Sequence, residues 1–145
     1  MKISIEEDKS IKDVEVIIRC RARDEKVELL VERIKGEEER LICYEDKIIH
    51  YIEVKDIFYM ESVDNNVFIY SRDKVLETKL KLYELEERLC NSYFIRCNKA
   101  AIINLSKVKL LVPQLNRSIM AHMDNGEKVY ISRKYVKKLK ETLGV

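Results

Sequence analysis

The apolar positions of this chain change their period several times, and each change marks an element. Residues 14–20, Val14-Glu15-Val16-Ile17-Ile18-Arg19-Cys20, are rich in β-branched side chains and predict a strand, preceded by a short first strand at 2–6. Past Asp24, a residue suited to an N-cap, Val27, Leu30, Val31 and Ile34 recur at helical spacing, and Gly36 stands where a helix would stop. This predicts an amphipathic helix over 25–35. Residues 1–40 thus read as a β-β-α extension.

From Arg40 onward short apolar runs separated by turn residues take over. They predict strands at 41–44, 48–54, 57–61, 67–71 and 75–80, with turns at Asp64-Asn65-Asn66 and Arg72-Asp73-Lys74. Leu82, Leu85 and Leu89 form one stripe beside charged positions and predict a helix over 82–89. Further strands are expected at 94–96, 107–112, 118–123 and 128–131, the last two joined by Asp124-Asn125-Gly126, whose Asn-Gly favours a tight hairpin. Ser132 is placed to cap a final helix over 133–143, with Gly144 beyond its end. The fold class is mainly β with flanking helices, and residues 42–145 form its body.

Composition adds a core and no linker: 145 residues with 46% hydrophobic content make one domain of usual size, with a short extension, and Pro and Gly are scarce. The N-terminal residues turn acidic at once and no apolar run suits a signal peptide or a membrane span, so a cytoplasmic location is expected. Cys20, Cys43, Cys90 and Cys97 are widely spaced without a CxxC pair. In a reducing compartment they read as free thiols, not a disulfide framework or a zinc site. No metal, cofactor or small-molecule substrate is expected.

Charge changes the picture more. Residues 94–145 carry 11 Lys/Arg and 3 Asp/Glu, a net of +8, whereas residues 1–93 carry 17 and 23, a net of −6. A sign asymmetry of this kind points to nucleic acid or another anionic surface. In the final helix Val136, Leu139 and Leu143 form a core stripe with Tyr135 at its edge, and Arg133, Lys134, Lys137, Lys138 and Lys140 form a basic face. Solvation and the C-terminal dipole account for Lys137, Lys138 and Lys140. They do not account for Arg133 and Lys134, which stand in the first turn, where the dipole disfavours cations. A second cluster, around 94–104, offers Arg96, Asn98, Lys99 and Asn104 as donors suited to phosphates or base edges. The third is the Asp64-Asn65-Asn66 turn, where Asn tolerance of positive φ is as good an account as base contact.

Four strings in order, Ile57-Phe58-Tyr59-Met60-Glu61-Ser62-Val63-Asp64-Asn65-Asn66, Thr78-Lys79-Leu80-Lys81-Leu82-Tyr83-Glu84-Leu85-Glu86, Phe94-Ile95-Arg96-Cys97-Asn98-Lys99 with Ile103-Asn104, and Ile131-Ser132-Arg133-Lys134-Tyr135-Val136, resemble the LytTR family of bacterial DNA-binding domains. The resemblance covers roughly residues 42–145. It implies an elongated LytTR-type β fold of about ten short strands that reads two successive major grooves of double-stranded DNA from loops. Base-contacting positions would fall on Asn65 or Asn66, on Lys99, and on Lys134 with Arg133 adjacent. The chain departs from the family pattern in three places: Ala100 stands where Ser is common, Asn98 where His or Ser often occurs, and the loop Pro113-Gln114-Leu115-Asn116-Arg117 lacks the Gly often found there. The short N-terminal part leaves no room for a receiver domain, so a stand-alone transcriptional regulator is implied. Its extension is compatible with a homodimer contact, with docking to a membrane-bound inhibitor protein, or with an added layer on the core.

Two rivals come from other classes. An enzyme using Cys97 or Cys43 with His50 or His122 has only residue types in its favour, since a nucleophilic thiol needs a base and an activating environment. A redox-sensing thiol at Cys97, close to Lys99, is a milder form of the same idea. A protein-interaction module or RNA-binding regulator using the same basic face is the other rival. RNA modules display exposed aromatics for stacking, while the Phe and Tyr residues here interleave with core positions.

Overall fold

Eight of the ten strands bury side chains, β2 and β8 being the exceptions, and two separate cores result. The computed structural model describes residues 1–36, 39–90 and 93–145. Helix α1 (Glu25–Gly36) comes first, then β1 (Arg40–Glu45), β2 (Ile48–Glu53), β3 (Tyr59–Val63), β4 (Asn66–Tyr70), β5 (Val75–Thr78), α2 (Leu82–Arg88), β6 (Phe94–Asn98), β7 (Ala101–Asn104), β8 (Val108–Pro113), β9 (Ile119–Met123), β10 (Lys128–Ile131) and α3 (Arg133–Leu143). Seven strands form one antiparallel sheet in the order β2-β1-β5-β4-β3-β7-β6, and three form a second in the order β10-β9-β8.

One face of the large sheet presents Leu41, Cys43, Met60, Val67, Ile69, Leu76 and Ile102 to Leu82, Leu85 and Leu89 from and just beyond α2. The other side of the molecule packs Tyr59, Ile95, Cys97, Ala101 and Ile103 against Ile119, Ala121, Met123, Val129 and Ile131 of the small sheet and Leu139 of α3. Strand β7 therefore works on both faces, and all four of its residues are buried. That burial explains why this strand was not among those expected. A strand covered on both sides has no polar alternation, so Ala101-Ile102-Ile103 reads only as an apolar run.

The ten strands agree with the mainly β class, and most bounds lie within two residues of expectation. Strand β5 stops at Thr78 because the Thr78 hydroxyl then accepts from the Leu80 N–H at 3.2 Å as the chain turns toward α2. The Asp124-Asn125-Gly126 hairpin forms with Gly126 alone at positive φ (87°) and its N–H on the Met123 carbonyl. It is a type I turn followed by a left-handed glycine, not a two-residue turn. Asp24 caps α1 as expected, its carboxylate accepting from Val27 N–H at 3.0 Å. Leu143, expected in the core stripe of α3, is 44% exposed.

The strands expected at 2–6 and 14–20 are absent: residues 1–24 contain no strand, and nearly all of their side chains face solvent. Their β-branched composition favours extended backbone, but a strand exists only by pairing, and among the described residues none pairs with these segments.

Candidate nucleic-acid interface

The β3–β4 connection is a two-residue turn, with Asp64 and Asn65 at φ 51° and 66° and Val63 paired to Asn66. Both central residues in the left-handed region define a type I′ turn, which Asp and Asn tolerate. The turn residues are exposed, so positive φ fixes the backbone and leaves the Asn65 side chain outward.

The β6–β7 connection is built by Arg96. Its Nε donates to the Asn98 carbonyl at 2.8 Å, a terminal nitrogen donates to the Lys99 carbonyl, and the other meets the Glu86 carboxylate of α2 at 2.7 Å. Asn98 adds two more ties: its side-chain oxygen accepts from Ala100 N–H at 2.8 Å and its amide donates to the Tyr130 carbonyl at 2.7 Å. Lys99 is left at the tip with its side chain exposed. Arg96 and Asn98, expected as ligand donors, thus shape the turn that presents Lys99. Asn104 lies at the far end of β7, 1% exposed, donating to the Ile57 carbonyl at 2.7 Å and accepting from Ser106 N–H and Oγ–H. Its donors are spent in the interior.

Register brings the clusters together. Glu61 pairs with Ala101, and Ser62 N–H donates to the Ala100 carbonyl at 2.7 Å, so the β6–β7 turn abuts the end of β3 just before the β3–β4 turn. Ser132 N–H donates to the Cys97 carbonyl at 2.8 Å, which fastens the start of α3 beside the same turn. Asn65, Asn66, Lys99, Arg133 and Lys134 are therefore gathered at one end of the large sheet. All five are exposed. Ser132 gives α3 no side-chain cap, and its carbonyl accepts from Tyr135 N–H at 2.9 Å beside the two cations. Lys137 is exposed further along α3, and Lys138 lines a groove with Leu29, Arg33, Glu86 and Arg96.

Two cations were overlooked in the sequence. Val67 pairs with Thr78, so Lys79 follows directly beside Asn66, and Lys79 and Lys81 line one groove with Asn65 and Asn66. The Lys-Leu-Lys spacing was visible, but only the register joins it to the turn. The thiol rival meets an opposite environment. Cys43 and His50 are cross-strand partners, yet Cys43 and Cys97 are fully buried, and burial pushes their thiols up to about 11 and about 12. An activated thiol is displaced the other way.

A mainly β domain with exposed cations and amides on three loops at one sheet end presents a surface suited to nucleic acid. Residues 47–144 match the family described as LytTr DNA-binding domain, and the chain belongs to that family. It is 34% identical over 105 residues to an uncharacterized HTH-type transcriptional regulator of Staphylococcus aureus strain bovine RF122, a match spanning 72% of this chain and 71% of the relative. A counterpart in strain MRSA252, named likewise, is 33% identical over the same span. The fold is similar to the LytTr DNA-binding domain of a Bacillus cereus protein described as a methyl-accepting/DNA response regulator, with a TM-score of 0.71 at 24% identity, over 74% of this chain and 99% of that one.

The family is one of DNA-binding domains, not of enzymes. The described residues contain no pair of helices joined by a short turn, the arrangement that the relatives' names describe, since α2 and α3 are separated by five strands. No helix among the described residues is long and apolar enough to cross a membrane.

Proposed function

We propose that this protein is a sequence-specific transcriptional regulator that binds double-stranded DNA, with two copies on tandem sites reading the major groove from loops. The observation that carries this reading is the convergence of Asn65, Asn66, Lys99, Arg133 and Lys134 at one sheet end. Asn donors and acceptors match adenine N6/N7, and Lys matches guanine O6/N7. Lys79, Lys81 and Lys137 are suited to the flanking phosphates. Arg96, Asn98 and Asn104 act as positioning residues, since their donors are engaged within the protein. Duplex DNA is favoured over RNA because the residues of the three loops, 64–66, 98–100 and 132–134, include no aromatic side chain on which a splayed base would stack.

The test is fluorescence anisotropy with a fragment from upstream of the protein's own gene and a scrambled duplex, titrated with salt. Lys99→Ala and Lys134→Ala should each weaken binding to the native fragment by about 1–3 kcal/mol and flatten discrimination. Equal losses on both duplexes would remove these residues as base readers. A salt slope near zero for the wild type would overturn the electrostatic basis of the reading.

A further inference from the structure

The unpaired N-terminal residues carry the pattern of a strand that is waiting for a copy of itself. Ile3, Ile5, Val14, Val16 and Ile17 are 76, 87, 94, 60 and 75% exposed, which is costly for apolar side chains of this size. A turn already stands between the two segments: Ile11 N–H donates to the Asp8 carbonyl at 3.2 Å, and the Asp8 carboxylate accepts from Ser10 N–H and Oγ–H. A hairpin continued from that turn places Ile5 opposite Val14 and Ile3 opposite Val16, all on one face. Two strands with one bare apolar face are marginal in water, and a third strand or a covering helix is needed.

The second segment specifies the missing neighbour. Along 13–21, Val14, Val16, Ile18 and Cys20 alternate with Asp13, Glu15, Ile17, Arg19 and Arg21, so a strand here has one apolar face and one charged face. The charged face is acidic before Ile17 and basic after it. An identical strand laid antiparallel about Ile17 sets Glu15 opposite Arg19 and Asp13 opposite Arg21 on both sides of the centre. On the other face Val14 meets Cys20 and Val16 meets Ile18. A slip of one residue would set charged positions against apolar ones.

We propose that residues 13–21 pair antiparallel with the same residues of a second copy, about a two-fold axis through Ile17. The two hairpins then form one four-stranded sheet, and α1 of each copy covers its apolar face. Helix α1 has the surface for this: Leu29 and Ile34 are 41 and 36% exposed beside half-buried Val27, Leu30 and Val31. The contact is isologous and closes at two copies. It supplies an interface for the two-copy part of the proposed function. Its test contains no DNA, so its failure and that of the DNA reading are separate results.

Sedimentation equilibrium of the full chain should show a dimer. Glu15→Arg and Arg19→Glu each turn two attractive pairs into repulsive ones, and each should raise the dissociation constant by about 10- to 100-fold. The double variant Glu15→Arg/Arg19→Glu should return it to near the wild-type value. Ile17→Cys in a Cys20→Ser/Cys90→Ser background should form an intermolecular disulfide under mild oxidation, because directly opposed Cα atoms lie within bridging distance. A wild-type monomer, a dimer indifferent to the single charge reversals, a double variant as weak as the singles, or no Ile17→Cys cross-link would overturn the proposal.

Discussion

Arg96→Gln distinguishes a residue that shapes the β6–β7 turn from one that touches DNA. The guanidinium makes three contacts, to the Asn98 and Lys99 carbonyls and to Glu86, and its side chain is 17% exposed. A hydrogen bond to a charged group contributes roughly 1.5–3 kcal/mol. The two carbonyls lie in a surface turn, where water replaces part of what is lost, and Glu86 is 41% exposed, so its ion pair counts for less than a buried one. The expected loss of stability is about 2–3 kcal/mol, or a melting temperature lower by roughly 5–10 °C at this chain length. Binding to the native fragment should weaken because Lys99 loses its fixed position. The slope of log K against log salt should not change, since no phosphate contact is removed. A slope smaller in magnitude by about 0.9 with unchanged stability would show that Arg96 neutralises a phosphate, and the positioning argument would be wrong.

Asn104→Ala should cost about 2–4 kcal/mol in urea denaturation, because the Ile57 carbonyl and Ser106 lose their buried partner; an unchanged midpoint would refute its interior role. Cys43 and Cys97 keep their protons well above the ordinary thiol range, while the unfolded chain releases them near pH 9. The folded state therefore binds more protons in that window, and stability falls as pH rises from about 9 toward 11, by up to about 1.4 kcal/mol per pH unit per thiol. A Cys43→Ala/Cys97→Ala variant should flatten this fall, and DNA affinity of the wild type should not change after mild peroxide treatment.

The fold was legible where a strand has one wet face. Strands such as β4, with Val67 and Ile69 buried and Asn66 exposed, keep alternation, and α3 keeps its stripe through Val136 and Leu139. Strand β7 is dry on both faces and could not be told from any short apolar run. At this end of the large sheet, residue type picked out Lys99, Arg133 and Lys134, whose side chains face outward. It picked out Arg96, Asn98 and Asn104 equally, whose donors meet protein acceptors, because a polar side chain near a turn is as able to satisfy backbone carbonyls as to meet a ligand. Only partners distinguish these uses, and partners are set by register: Lys79 and Lys81 adjoin Asn66 because β4 pairs with β5.

Arg133 and Lys134 link function to stability most directly. Both are exposed cations in the first turn of α3, which has no side-chain cap from Ser132. The helix dipole makes each position unfavourable for a cation by roughly 0.3–1 kcal/mol and favourable for an anion by a similar amount. Lys134→Glu should therefore stabilise the isolated protein by about 0.6–2 kcal/mol, raising its melting temperature by a few degrees, while sharply weakening binding to the native fragment. A contact residue retained for DNA against the interest of the fold predicts this opposition of signs. The aromatic ring of Tyr135, 5.7 Å from the Lys134 ammonium, offsets little of it at an exposed site. If Lys134→Glu instead lowers the melting temperature at low salt, the cation stabilises the helix in a way the geometry does not reveal, and the case for DNA as the reason for its placement fails.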